Sequence, residues 1–137
     1  MSGFEPRIVG FLCKWCATAA ADTAGTQRLP YPPNLLPITV NCTGAIDGAY
    51  ILQVFLDGAD GVLVGGCHPG DCHYRIGNLR ARRRIAQLLK IMETLGLEPA
   101  RLKLCWIGAS EAQKYADTVN QFVEQIRLLG PSQFKKS

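Results

Sequence analysis

Residues 61–66 read Gly-Val-Leu-Val-Gly-Gly, a run without one polar side chain. A strand covered on one face only alternates apolar and polar residues. A run that is apolar on both faces belongs inside a parallel sheet with helices packed above and below it. Three more short apolar runs have strand length, at residues 7–12, 37–42 and 102–107. Segments of helical character lie between them. Residues 14–26 are rich in alanine, a strong helix former. Residues 48–57 place Ile51, Val54 and Phe55 on one face, with Gly58 as the stop.

The third helix follows Asn78, a possible cap, and repeats Ile85, Leu88, Leu89, Met92 and Leu95 at helical spacing until Gly96 and Pro99 end it. The fourth is expected to start at Ser110, with Gln113 completing a capping box. Tyr115, Val119, Phe122, Val123, Ile126 and Leu129 then form one stripe up to Gly130-Pro131. Strand and helix therefore alternate four times. This order predicts an α/β fold of three layers, a mostly parallel four-stranded sheet with helices on both faces, of the flavodoxin-like kind.

A chain of 137 residues suits one domain, with its core at about 7–131 and a tail, 132–137, that is mobile or ordered only on a partner. Pro30-Tyr31-Pro32-Pro33-Asn34 reads as a stiff loop before the second strand. The composition, 47% hydrophobic and 19% charged, is that of an ordinary soluble globular protein. The balance of 15 basic to 11 acidic residues, +4, is too weak to imply nucleic acid by itself. No apolar run approaches the roughly 20 residues a bilayer crossing needs, so no membrane insertion is expected. Residues 1–6 show no secretory leader, which makes the cytoplasm the default location.

Six cysteines are many for such a chain: Cys13, Cys16, Cys42, Cys67, Cys72 and Cys105. In a reducing compartment, clustered cysteines are more often metal ligands or redox groups than disulfides. Cys13 directly follows the first predicted strand, Cys42 ends the second and Cys67 follows the third. Cys72 lies in the same loop as Cys67, and Cys16 falls in the first turn of the first helix. In an open parallel sheet all these positions lie at the carboxyl edge, where such folds bind ligands. A converging thiolate set suits zinc or an iron–sulphur centre, and four thiolates complete either. Cys13, Cys67 and Cys72 are the firmer choices; Cys16 and Cys42 compete for the remaining place.

The glycines beside these cysteines, Gly44, Gly65, Gly66 and Gly70, allow close backbone approach to an inorganic group, or simply make tight turns. Cys105, between Leu104 and Trp106, reads as a small core hydrophobe. His68 and His73 each follow a cysteine, but the Cys-x-His and Cys-x-x-His boxes of a Rieske site are missing. They read as polar loop residues or donors near the centre. Trp15 either shields the site from water or belongs to the core. Cys13-Lys14-Trp15-Cys16 also matches a redox Cys-x-x-Cys pair at a helix start.

Phe11-Leu12-Cys13-Lys14-Trp15-Cys16, Tyr31-Pro32-Pro33-Asn34 and above all the block from Gly61 through Cys67-His68-Pro69-Gly70-Asp71-Cys72-His73-Tyr74 resemble the delta subunit of methyl-viologen-reducing hydrogenase. The same domain is found in partner subunits of heterodisulfide reductase. The resemblance spans about residues 7–131. It implies one 2Fe–2S cluster and an electron relay in methanogenesis. The relay would run from a nickel–iron hydrogenase or a formate dehydrogenase to the flavin-containing subunit of heterodisulfide reductase. It matches the shared cysteines of the family to Cys13, Cys16, Cys42, Cys67 and Cys72, and implies no ligand role for Cys105. No Ser–His–Asp set, paired carboxylates or phosphate loop is evident, as a non-catalytic relay subunit requires. The alternatives are a zinc-stabilised protein-interaction module and a Cys-x-x-Cys thiol–disulfide oxidoreductase. Arg80, Arg82, Arg83 and Arg84, with Lys90, read either as a docking patch for an acidic surface or as a solvated helix start.

Overall fold

The computed structural model describes residues 5–14, 17–26, 34–40, 48–66 and 77–132, with side chains in the last segment from Arg82 onward. In chain order the elements are β1 (Ile8–Cys13), α1 (Ala17–Thr26), β2 (Leu35–Val40), α2 (Gly48–Leu56), β3 (Gly61–Gly66), α3 (Gly77–Thr94), β4 (Leu102–Trp106) and α4 (Ala112–Leu129). A 3₁₀ turn, Pro99–Arg101, precedes β4. The strands pair in the order β2-β1-β3-β4, every pair parallel. One face of the sheet packs against α1 and α4 through Leu12, Leu63, Tyr115 and Phe122. The other packs against α2 and α3 through Phe11, Val62, Val64, Phe55 and Met92. This is the expected three-layer α/β fold.

All six residues of β3 are buried, as its two-faced apolar pattern requires. Of the α4 stripe, Tyr115, Val119, Phe122, Val123 and Ile126 are buried, and Leu129 packs at its margin. Each such side chain contributes about 1.5–3 kcal/mol of burial. Gly130 closes the helix at φ 81°, its N–H donating to Ile126 O at 3.0 Å.

Several boundaries differ from the sequence reading. β2 begins at Leu35, two residues before the expected start, and is described as far as Val40; Cys42, expected to end it, lies outside the described residues. The expected start at Pro37 reflects its missing N–H, but β2 is an edge strand paired only with β1, where a proline is tolerated. The helix expected from residue 14 starts at Ala17, with Lys14 in a turn. Asn78 lies inside α3, which starts at Gly77. Leu95 lies just past the end of α3 and is 48% exposed, so it leaves the core stripe. The Ser110 capping box does not form. Glu111 is the N-cap, and its carboxylate reaches back to accept the Gly108 N–H at 2.7 Å, which fixes the turn in place of a cap bond.

The amino edge of the sheet is held by a buried polar knot. Asp60 accepts the Arg7 N–H at 2.9 Å and the Ser132 N–H at 3.0 Å through its two carboxylate oxygens. Arg101, also buried, donates to Asp60 O at 3.0 Å and Pro131 O at 3.2 Å and pairs with Glu98 at 2.7 Å. Ser132, expected to open the tail, is therefore buried and tied down; residues 133–137 lie outside the described residues. Removing the Asp60 carboxylate strands two buried donors, each worth about 1–3 kcal/mol. Asp60→Ala is expected to lower unfolding free energy by roughly 2–4 kcal/mol in urea titration, whereas the exposed Asp57→Ala should stay within about 0.5 kcal/mol.

Candidate metal centre at the carboxyl edge

With the order β2-β1-β3-β4, the chain leaves β1 in one direction and crosses back over it to reach β3. The switch point therefore lies between β1 and β3, at their carboxyl ends. Cys13 is the last residue of β1, pairs with Val40 of β2 and is only 2% exposed. Beside it, Leu12 of β1 pairs with Gly65 of β3.

This edge is fastened on every side. The Lys14 N–H donates to Val40 O at 2.7 Å, and the Ile107 N–H donates to Gly66 O at 2.7 Å, each extending a ladder past its strand end. The Thr18 hydroxyl reaches Leu12 O at 3.3 Å and Thr39 Oγ1 at 3.2 Å, binding the first turn of α1 to β1 and β2. Gly65 has a specific task here. A Cβ at that position would stand 3.1 Å from both the Ala17 Cβ and the Leu12 Cδ2, closer than most real Cβ contacts, so a larger residue would force these neighbours to give by a few tenths of an ångström. Glycine lets the start of α1 settle closely onto the carboxyl end of β3. Thr18 and Thr39 were missed in the sequence, where a lone threonine carries no signal of a cross-element bond.

Cys13 is the one expected ligand whose side chain is described. Cys16, Cys42, Cys67 and Cys72, together with Trp15, His68 and His73, lie outside the described residues. Among the described residues no three His, Cys, Asp or Glu side chains gather as a metal site. In sequence, Ala17 directly follows Cys16, Val40 precedes Cys42 by two residues and Gly66 directly precedes Cys67, while Cys72 lies between Gly66 and Gly77.

Cys105 stands apart. It lies within β4, in register with Gly65, and is partly buried against the cluster formed by α1 and α4. Burial pushes its thiol up to about 11, against the weaker opposing pull of Lys103 and Lys114. A thiol so held is neutral and behaves as an apolar filler. On α3, Arg82, Arg83, Arg84 and Lys90 are all exposed.

The family model described as methyl-viologen-reducing hydrogenase, delta subunit, matches residues 8–130. The chain belongs to this family. It is 46% identical over 134 residues to the vhc iron-sulfur subunit of the F420-non-reducing hydrogenase of Methanococcus voltae, covering 98% of this chain and 93% of that one. It is also 46% identical over 133 residues to the iron-sulfur subunit of the F420-non-reducing hydrogenase of Archaeoglobus profundus, covering 97% of each. A third relative is a subunit of the ferredoxin/F420H2-dependent CoB-CoM heterodisulfide reductase of Methanosarcina acetivorans. There the identity is 41%, and the match takes in 96% of this chain but 17% of that much longer protein. The family thus occurs both as a separate chain and as a region within a larger polypeptide. Among the described residues, no helix is long and apolar enough to cross a membrane.

The raised thiol of Cys105 has a direct consequence. In metal-free protein at pH 8, about a thousandth of that thiol would be ionised. Cys105 is expected to react with iodoacetamide well below the rate of an unfolded-peptide thiol, as read by peptide mass spectrometry. Alkylation of Cys105 as fast as an unfolded-peptide thiol would contradict the burial.

Proposed function

We propose that this chain is a non-catalytic electron-transfer subunit that holds one 2Fe–2S cluster at the carboxyl edge of its sheet. It would take electrons from a hydrogenase, or from a formate dehydrogenase, and pass them to the flavin-containing subunit of heterodisulfide reductase in methanogenesis. In this reading residues 1–137 form a single cytoplasmic electron-transfer domain. Family membership supports the hydrogenase and heterodisulfide reductase connection. The names of the separate relatives support the iron–sulphur assignment.

The observation that carries the proposal is the position of Cys13 at the switch point, one strand away from the residue that precedes Cys67. Cys67 directly follows Gly66 in sequence, and Cys42 is two residues past Val40, the partner of Cys13. Four of Cys13, Cys16, Cys42, Cys67 and Cys72 would serve as ligands. The donor set fits, because thiolates are the soft ligands that iron–sulphur clusters use. The cluster supplies reversible uptake of an electron. The chain supplies a rigid edge, held by the Lys14, Thr18 and Ile107 hydrogen bonds, that keeps its ligands from rearranging. Trp15, His68 and His73 would lie in the surroundings of the cluster and bear on its potential. The burial of Cys13 argues against disulfide exchange through Cys13 and Cys16, which needs an accessible thiolate.

Protein purified without oxygen is expected to be brown and to hold iron and acid-labile sulphide in equal amounts, with a paramagnetic signal on one-electron reduction. Cys67→Ser and Cys72→Ser should each abolish colour and sulphide, while Cys105→Ser keeps both. A colourless protein with stoichiometric zinc would overturn the assignment in favour of an interaction module.

A further inference from the structure

Helix α3 carries charge out of proportion to the rest of the chain. Gly77–Thr94 contains Arg80, Arg82, Arg83, Arg84 and Lys90 against a single acid, Glu93, a balance of +4. That equals the net charge of the whole 137-residue chain, so the remainder is balanced. Arg82, Arg83 and Arg84 are exposed, and Arg82 and Arg83 have no acidic partner among the described residues.

Where these arginines stand matters more than their number. Both α2 and α3 follow a strand, so both run from the carboxyl edge of the sheet towards its amino edge. The first residue of α2, Gly48, lies against Leu88, whose Cδ1 is 3.9 Å from where a Cβ on that glycine would be. α3 begins at Gly77, three turns before Leu88. With the backward lean of a helical leucine allowed for, α3 extends about 10–16 Å beyond the start of α2. Arg82 and Arg83 lie on that projecting stretch, on the side of the domain where β1 ends at Cys13 and β3 at Gly66. Below them, a groove between the helices is lined by Ala49, Leu52, Arg84, Gln87 and Ile91. Ile91 remains 46% exposed in this groove. Arginine beside exposed aliphatic side chains is the composition of a protein-docking surface.

We infer that the projecting half of α3, through Arg82 and Arg83 with the α2–α3 groove beneath, docks an acidic surface of the heterodisulfide reductase partner and so sets that partner over the cysteine edge. The inference rests on the electron-relay reading and adds the surface by which the relay engages. The modest net charge of the chain and the aliphatic groove favour a protein over a nucleic acid as occupant. Charge complementarity at such a patch speeds encounter and fixes orientation, and salt screens it over about 8–10 Å.

The test uses the full chain and the purified flavin-containing subunit of heterodisulfide reductase from the same organism, with binding followed by biolayer interferometry. Arg82→Glu/Arg83→Glu should weaken binding about tenfold or more at about 50 mM salt, mostly through slower association, and by about threefold or less at about 500 mM. Arg82→Lys/Arg83→Lys should keep most of the affinity, and Lys114→Glu on α4 should leave it unchanged. Because Arg82 and Arg83 are exposed, the circular dichroism spectrum should not change. Equal affinity of wild type and reversal variant, an equal loss with Lys114→Glu, or no binding by the wild type would each overturn the inference. So would a loss confined to binding of a 20-nucleotide RNA, which would make the patch a nucleic-acid surface. Iron and sulphide are assayed on the same samples. Their absence from the wild type would fail the relay reading, while the comparison of charge variants would still decide the surface.

Discussion

With both faces of β3 closed off by helices, no polar group can be carried on that strand, and whatever chemistry the domain performs is displaced to the strand's carboxyl end. The rest of the architecture follows from that burial. β3 needs a neighbour on each side, which β1 and β4 provide. It needs helices above and below, which the three crossover helices and α4 supply. Gly65 carries the constraint to its limit: by having no side chain it admits Ala17, and the start of α1 closes down on the end of β3. The segments on either side of the switch point are thereby drawn together, with Cys13 at the end of one of them.

The two edges of the sheet divide the work. At the amino edge, Asp60 binds the backbone of Arg7 and of Ser132, so the first and last described parts of the fold meet on one buried carboxylate. Arg101 seals the same corner from β4. The first and last described segments therefore lie on the side opposite Cys13.

Much of this was legible in the residues. The apolar run at 61–66, the α4 stripe from Tyr115 to Ile126 and the alternation of strand and helix gave the layers, because periodicity reports burial directly. The boundaries that failed did so for local reasons. Pro37 looks like a strand start until β2 is known to be an edge. Ser110 and Gln113 look like a capping box until Glu111 turns back to Gly108. Leu95 keeps the helical spacing but falls beyond the last turn of α3. Asp60 and Arg101 were invisible as a pair, since charged residues so far apart in sequence give no pattern until the fold joins them. The same holds for Thr18 and Thr39.

The sequence alone determined that this chain builds helix-covered parallel strands and that its cysteines flank strand ends, because hydrophobic period and strand length are local properties. It also carried the block around Cys67 and Cys72 in which the family is recognisable. The strand order was decided only in three dimensions. β1 lies between β2 and β3 rather than at an edge because crossovers are free to pass either way, and the choice depends on which faces pack together. That order alone sets Cys13 at the switch point and leaves the arginines of α3 projecting on the same side.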